Sequence, residues 1–104
     1  MRKAGIVLLF LSIGLSQDYP PPINMSSTSV DGNINISWST NLVNGIEGYR
    51  LYKNSELILE TEQSGYIDSD VLPETGYCYS ATALYIGDIE SDHSNTSCTS
   101  WHIN

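Results

Sequence analysis

The two cysteines are the residues with the most definite chemistry in this chain of 104 residues. Cys78 and Cys98 follow an N-terminal segment that is typical of exported proteins, and export leads to compartments in which thiols oxidise. Two cysteines allow one intramolecular bridge, and the loop it closes, roughly 20 residues long, contributes about 3 kcal/mol in the chain-entropy model. We therefore predict a Cys78–Cys98 disulfide, which leaves no thiol for nucleophilic catalysis.

The histidines are poor candidates for catalysis or metal binding. His93 lies near the last predicted turn and His102 in the C-terminal tail, and their spacing does not match a metal-ligand motif such as H-x-x-x-H. The sequence also lacks a glycine-rich phosphate loop and a G-x-S-x-G elbow. We expect both histidines at the surface, and we predict no catalytic residue and no cofactor.

Several carboxylates alternate along the second half of the chain. Oxygen ligands at such spacing could gather a calcium ion. The pattern does not match a calcium-binding loop, so solvated loop acids are the preferred interpretation and no metal site is predicted. The residues concerned are Asp68 and Asp70, followed by Asp88, Glu90 and Asp92.

Four aromatic residues could contact a glycan, because flat rings stack on the faces of sugars. The preferred interpretation is that these rings cover the core or the surface of a sheet. A single exposed planar strip of rings would distinguish glycan contact from a structural role. The residues are Tyr19, Tyr52, Tyr85 and Trp101.

The N-terminus has the composition of a secretory signal peptide. The basic start "MRK" precedes 12 almost wholly apolar residues at 4–15, and Gly14 and Ser16 supply the small residues of a cleavage site. The apolar run is shorter than the roughly 18 to 20 residues that span a bilayer. We predict a signal peptide at 1–16, a proline-rich leader at 17–22 and a domain at 23–104. The mature chain would be secreted, to the periplasm or the extracellular space, without membrane insertion after cleavage.

Loss of residues 1–16 would remove Arg2 and Lys3 and make the chain strongly acidic. Arg50 and Lys53 would then face 12 carboxylates, which gives a formal charge of −10. A chain with this charge is repelled by nucleic acid and by anionic membranes, so neither is expected as a partner. The sequence leaves the partner open as an unknown protein or a glycan.

Short alternating segments separated by turn signals predict an all-β fold. The clearest is "NINISWS" at 33–39, where Ile34, Ile36 and Trp38 share one face and polar residues occupy the other. Further strands are predicted at 23–27, 49–53, 56–61, 63–68, 77–85 and 90–100. Seven strands without a helical stripe indicate an antiparallel β-sandwich.

The positions of the cysteines fit a hairpin formed by the last two predicted strands. If Cys78 faces Cys98, the midpoint of the hairpin is Asp88, which lies in the predicted turn at 86–89. Paired residues share one face of a sheet, and alternation places Tyr77 and Tyr79 on the opposite face. The bridge should therefore lie outside the core and join neighbouring strands of one sheet.

From Pro21 to about Ser100 the chain resembles a fibronectin type III domain. The shared marks are two prolines at 21–22, Trp38 in "INISW", "GYRLYKN" at 48–54 and "LPETGY" at 72–77. An immunoglobulin domain would instead place its tryptophan between the two cysteines. The resemblance implies a seven-stranded, immunoglobulin-like sandwich with a tyrosine corner, in which the Tyr77 hydroxyl bonds to the backbone of the preceding loop. The implied core residues are Trp38, Tyr49, Leu72 and Tyr77.

The resemblance also implies a function, namely a secreted binding or spacer module without catalysis that acts through protein–protein or cell-surface contacts. A carbohydrate-binding module that uses exposed aromatic residues is the alternative, and a hydrolytic enzyme is a third hypothesis. Gly87-Asp88 has no preceding arginine, so an Arg-Gly-Asp integrin site is not present. Three Asn-x-Ser/Thr sequons begin at Asn24, Asn35 and Asn95. They matter only in a host that glycosylates its exports, and in a bacterial host, with which the resemblance is compatible, they would be coincidental.

Overall fold

The computed structural model describes residues 19–41 and 43–103. The predicted signal peptide at 1–16 and the first two residues of the predicted leader lie outside this range. The described residues form two antiparallel sheets, and they include no helix long and apolar enough to cross a membrane. The strands are β1 (Ile23–Val30), β2 (Asn33–Ser39), β3 (Ile46–Lys53), β4 (Glu56–Thr61), β5 (Gly65–Asp68), β6 (Tyr77–Tyr85), β7 (Ile89–Glu90) and β8 (Ser97–Thr99).

The smaller sheet has the strand order β1-β2-β5. Its central strand β2 follows the predicted alternation, because its three apolar residues are buried while its polar residues are half-buried or exposed. Strands β1 and β2 are joined by Asp31-Gly32, whose φ angles are 53° and 81°. A two-residue hairpin of this type requires positive φ at both positions, which Asp-Gly tolerates well.

The larger sheet has the order β4-β3-β6-β7, and β8 continues beside β6. The last strand, predicted as one segment at 90–100, is divided into two short pieces. Between these pieces the N–H groups of Ala83 and Ala81 donate to the hydroxyl oxygens of Ser91 (2.9 Å) and Ser94 (3.0 Å). The same serines donate their own N–H groups to the carbonyls of Ala83 and Ala81. Serine hydroxyls therefore replace the main-chain acceptors that would make this segment a regular strand.

The two sheets enclose a core that is rich in aromatic side chains. Trp38 of β2 and Tyr49 of β3 meet edge to face across the sandwich, with ring centroids 5.6 Å apart. Trp38, Tyr49 and Tyr77 are all buried, and they are three of the four core residues that the resemblance implied. The other buried apolar residues are Met25, Ile34, Ile36, Leu51, Val71, Tyr79, Ala81, Ala83 and Tyr85.

The loop before β6 forms a tyrosine corner around Tyr77. The N–H of Leu72 donates to the Tyr77 hydroxyl at a distance of 2.8 Å. The Leu72 side chain is 68% exposed, so its assignment to the core was wrong. Val71, 9% exposed, takes the inward position instead, because successive side chains of an extended segment point to opposite sides.

The disulfide between Cys78 and Cys98 joins β6 to β8 at directly paired positions, with Cα atoms 4.0 Å apart. Tyr77 and Tyr79, on either side of Cys78, are buried, whereas Cys78 is half-buried and Cys98 is exposed. The bridge therefore lies on the outer side of the larger sheet and connects two of its neighbouring strands, as the hairpin argument predicted.

Replacing both cysteines (Cys78→Ser with Cys98→Ser) is expected to lower the free energy of unfolding by about 3 kcal/mol. The bridge spans 20 residues of sequence, and it lies outside the core, so the serines should leave little strain or empty space in the folded state. Urea denaturation of the oxidised protein and the double variant at the same pH measures the difference. The reduced wild-type protein is the control and should match the variant. Equal unfolding midpoints for the oxidised protein and the variant would contradict the prediction.

Candidate functional site

Outward-pointing side chains of the larger sheet form a bonded polar cluster. Arg50 of β3 lies opposite Thr82 of β6, and Tyr52 lies opposite Ser80. Because side chains alternate along a strand, these four point away from the core, on the same side as Glu90 of β7. We call these five residues, together with Glu60 and His93 that contact them, the outer-sheet cluster.

Glu90 is the centre of the outer-sheet cluster. Its carboxylate accepts hydrogen bonds from the Tyr52 hydroxyl (2.6 Å), the Thr82 hydroxyl (2.7 Å) and the Arg50 guanidinium (2.9 Å). The bonds from Tyr52 and Thr82 lower the pKa of Glu90 below its ordinary value, and the bond to Glu90 and partial burial raise the pKa of Tyr52. Arg50 also pairs with Glu60 at 2.9 Å. The charged groups of this surface are thus held in place by one another.

His93 is exposed, as predicted, but it is not isolated. Its ring lies 4.5 Å from the Tyr52 ring, centroid to centroid, and its Nδ1 lies 2.8 Å from the Ser80 hydroxyl oxygen. A serine next to a histidine is the beginning of a nucleophile–base pair. Such a pair also needs a group that orients the histidine and a pocket that holds the substrate.

A cavity of about 430 Å³ is lined mostly by residues of the larger sheet and does not include this pair. Arg50 is the one base among its lining residues, and four of the others are carboxylates. Neither Ser80 nor His93 faces the cavity, so it brings no nucleophile together with a base. The lining residues are Glu47, Arg50, Glu60, Leu84, Tyr85, Asp88 and Glu90.

Asp68, which the sequence suggested as a calcium ligand or a solvated acid, lies between the two sheets and is buried. Its carboxylate pairs with Lys53 Nζ at 2.9 Å and accepts hydrogen bonds from the Tyr79 hydroxyl at 2.7 Å and the Asp70 N–H at 3.0 Å. Burial alone would raise the pKa of Asp68, but these three partners outweigh it and lower the pKa. Asp68 is therefore a structural ion-pair residue.

The Lys53–Asp68 ion pair was not predicted, although the sequence does indicate the direction of the Lys53 side chain. Lys53 follows Tyr49 and Leu51 at steps of two along β3, so alternation places it on the inner face. Its ammonium lies 4.6 Å from the centre of the Tyr77 ring and donates to the Asp70 carbonyl at 2.6 Å. The position of Asp68 across the sandwich depends on how the two sheets pack, which no local pattern specifies.

The remaining acids do not come together around a cation. Asp70, Asp88 and Asp92 are exposed, and Glu90 is occupied within the outer-sheet cluster. Within residues 19–41 and 43–103, no three side chains of the His, Cys, Asp or Glu type form a group that could hold a metal ion. His102 is exposed, and its Nδ1 lies 2.8 Å from Glu74, whose pKa is lowered by this contact and by the N–H of Ile103.

The four candidate glycan-contact aromatics do not form one exposed strip. Tyr85 is 2% exposed and is a core residue, which corrects its assignment as a possible sugar contact. Its hydroxyl donates to the Pro20 carbonyl at 2.6 Å, and the exposed Tyr19 ring packs edge-on against it. Trp101 is half-buried against the core at the opposite end of β6, while the Tyr52 ring packs at a tilt against His93 within the outer-sheet cluster.

Comparisons with known proteins find similarity at the level of structure. No family model and no curated protein sequence matches the chain. The Fn3-like protein of Clostridium thermocellum is 19% identical with a TM-score of 0.67, over 84% of this chain and 97% of that one. A β-1,2-glucanase of Parabacteroides distasonis is 18% identical with a TM-score of 0.71, over 83% of this chain but 13% of the enzyme. A family 28 exopolygalacturonase of Yersinia enterocolitica is 12% identical with a TM-score of 0.72, over 82% of this chain and 21% of the enzyme.

These similarities agree with the element order and the packing described above. The two sheets, the tyrosine corner at Tyr77 and the buried Trp38 are the features that the sequence resemblance implied. The chain therefore has the fibronectin type III fold.

Proposed function

We propose that this chain is a non-catalytic binding or spacer module that acts outside the cytoplasm. The observation that carries the proposal is the match to the Fn3-like protein of Clostridium thermocellum, 97% of which is covered by this fold. In the glucanase and the exopolygalacturonase the similar region is 13% and 21% of the chain. A fold that makes up nearly all of one protein and a minor part of larger enzymes suits a module that positions neighbours or presents a surface.

The geometry of the surface supports binding over reaction. The charged groups of the outer-sheet cluster are engaged with one another, so they present a rigid pattern of charge to a partner. The Ser80–His93 pair lies on the open surface of the sheet, and the 430 Å³ cavity is lined by other residues. Hydrolysis would require a nucleophile and its base to lie inside a cavity that holds the substrate.

Export is part of the proposal, and two features support it. The basic, apolar and small-residue sequence of the first 16 residues suits cleavage after Ser16, and the disulfide suits an oxidising compartment. The charge of −10 that would remain after cleavage makes nucleic acid and anionic membranes unsuitable partners.

Expression of the full chain through an export route tests both parts of the proposal. The expected product has the intact mass of residues 17–104 with one disulfide, because signal peptidase should cut after Ser16. The purified product should not hydrolyse chromogenic esters or glycosides faster than the matched Ser80→Ala variant. Turnover that is lost in Ser80→Ala or His93→Ala would contradict the non-catalytic proposal. Recovery of the uncleaved, reduced chain from the cytoplasm would contradict export.

A further inference from the structure

The outer face of the smaller sheet is almost free of charge. Alternation directs Ser26 and Thr28 of β1 and Asn33, Asn35 and Ser37 of β2 to this face, and the first two lie opposite Ser37 and Asn35. We call these five residues the neutral face. Four of the five are exposed and Asn33 is half-buried. The neighbouring strand β5 adds the exposed Ile67, which pairs with Asn35.

The contrast with the larger sheet is one of charge. The strands of the smaller sheet carry one charged residue, Asp68, which points into the core, and Asp31 lies in the turn at the end of the sheet. The larger sheet carries six charged residues in its strands, and the predicted mature chain has a formal charge of −10. The residues in question are Glu47, Arg50, Lys53, Glu56, Glu60 and Glu90. An uncharged surface on so acidic a chain fits a ligand that is itself uncharged, because such a ligand is not repelled and loses no ion hydration.

The polar groups of the neutral face are largely free to bond to a ligand. Ser26 and Ser37 share one hydrogen bond, with 3.2 Å between their oxygens. The side chains of Thr28, Asn33 and Asn35 make no hydrogen bond with the residues at 19–41 and 43–103. Hydroxyl and amide groups both donate and accept, so together they complement a molecule whose surface is covered with hydroxyl groups. In the outer-sheet cluster, by contrast, the corresponding groups are already paired.

The size of the neutral face favours a narrow ligand over a protein. The three strands have eight, seven and four residues, and at about 3.3 Å per residue and about 4.8 Å between strands they present a surface of about 300 Å². A stable protein–protein interface buries about 800 Å² on each partner and is centred on aromatic or arginine anchors. The five residues of the neutral face include no such anchor. A second copy of this chain or another protein would therefore gain little here, whereas an extended chain of sugars would fit along the strands.

We propose that the neutral face binds an uncharged polysaccharide. Sugar hydroxyls would donate to and accept from Asn35 at the centre of the face, with Thr28 and Ser37 beside it. Ile67 and Val30, on the two edge strands of the sheet, offer apolar contact to the faces of the sugar rings. This inference rests on the proposed binding function and gives that function a ligand class and a surface, which differs from the aromatic strip expected from the sequence.

Affinity electrophoresis of the exported, oxidised chain tests the proposal. The probes are a neutral α-glucan, β-glucan, xylan and mannan in the gel, with polygalacturonate as the acidic probe. We expect at least one neutral glycan to retard the protein, with similar retardation between about 50 and 500 mM salt because no ion pair is involved. Amide shifts in a ¹⁵N spectrum titrated with that glycan should be confined to residues 26–37 and 65–67.

Asn35→Asp is the decisive variant, because it changes one atom and places a charge at the centre of the neutral face. It should weaken binding of the neutral glycan by about tenfold or more. The carboxylate must lose its hydration when the glycan binds, and unlike the amide it cannot donate a hydrogen bond. The matched control is Asn44→Asp, which makes the same change at an exposed loop residue and should leave binding unchanged. Thermal unfolding of both variants verifies that they are folded.

Four results would overturn the proposal. These are no retardation by any of the neutral glycans, equal binding by the wild type and Asn35→Asp, concentration-dependent dimerisation that Asn35→Asp abolishes, and a covalent sugar on Asn35 of the exported chain. The third would make the face an interface between copies, and the fourth would make it a modification site. None of these results involves turnover of a substrate, so the proposal that the chain is non-catalytic is tested separately by the hydrolysis assay.

Discussion

Asp68→Asn is expected to lower the free energy of unfolding by about 3 to 5 kcal/mol at neutral pH. The substitution preserves the shape of the side chain but removes the charge that faces Lys53 Nζ at 2.9 Å. Lys53 has a side-chain exposure of 13%, so its ammonium would remain in a partly buried position without a carboxylate. Urea denaturation of the variant and the wild type measures the loss.

Two further variants separate the charge effect from a general disruption of the site. Lys53→Met alone should also be destabilising, because it leaves the buried Asp68 carboxylate with hydrogen bonds but no cation. The double variant Lys53→Met with Asp68→Asn should be more stable than Asp68→Asn alone, since neither side chain is then an unpaired ion. Additive losses in the double variant, or a loss below about 0.5 kcal/mol for Asp68→Asn, would show that the pair contributes little.

The pH dependence of stability provides an independent check on the same residue. The folded protein lowers the pKa of Asp68, so its contribution is fully present above the unfolded value of about 3.9. The contribution is lost as the pH falls below that value and through the lower pKa of the folded state. The stability difference between the wild type and Asp68→Asn should therefore shrink as the solution is acidified. A difference that stays constant below about pH 3.9 would contradict this assignment.

Trp38→Ala is expected to cost about 3 to 5 kcal/mol, which is a large part of the roughly 5 to 15 kcal/mol that stabilises a domain of this kind. The Trp38 ring is buried and packs edge to face against Tyr49, so its removal leaves a cavity between the two sheets. We expect no cooperative unfolding transition in this variant. Circular dichroism during heating measures it, and an unchanged melting transition would refute the prediction.

Trp38→Phe is the matched control for the alanine variant. The indole Nε1 is buried and makes no hydrogen bond to any residue of the described ranges. Phenylalanine therefore removes a polar group that has no protein partner, and it keeps an aromatic ring against Tyr49. The phenylalanine variant should retain a cooperative transition and lose much less stability than the alanine variant. Equal losses in the two variants would mean that the volume of the side chain is not what stabilises the core.

Local periodicity in the sequence was sufficient to predict several elements of the fold. The alternation in "NINISWS" identified the buried face of β2, because side chains of a strand repeat every two residues whatever the strand packs against. The separation of Cys78 and Cys98 identified a hairpin centred near Asp88, because paired residues of a hairpin are symmetric about its turn. The same alternation places Tyr85 on the inner face with Tyr77, in agreement with the interpretation that this ring covers the core.

Packing between distant segments decided the features that local patterns left open. Val71 and Leu72 are adjacent apolar residues, and either could point into the core. The hydrogen bond from the Leu72 N–H to the Tyr77 hydroxyl orients this segment so that Val71 points inward. The hydroxyls of Ser91 and Ser94 divide the last strand because they reach the backbone of β6, which a serine-rich sequence does not reveal. The broken strand and the placement of Leu72 are long-range outcomes.

For this protein, the positions of the strands before the last one, the disulfide and the type of fold follow from the sequence, because each depends on spacing along the chain. The Lys53–Asp68 pair, the bonded state of the outer-sheet cluster and the uncharged neutral face are properties of the assembled sandwich. They arise when two sheets bring together residues that are far apart in sequence, and only the tertiary structure specifies which polar groups then find partners and which remain free for a ligand.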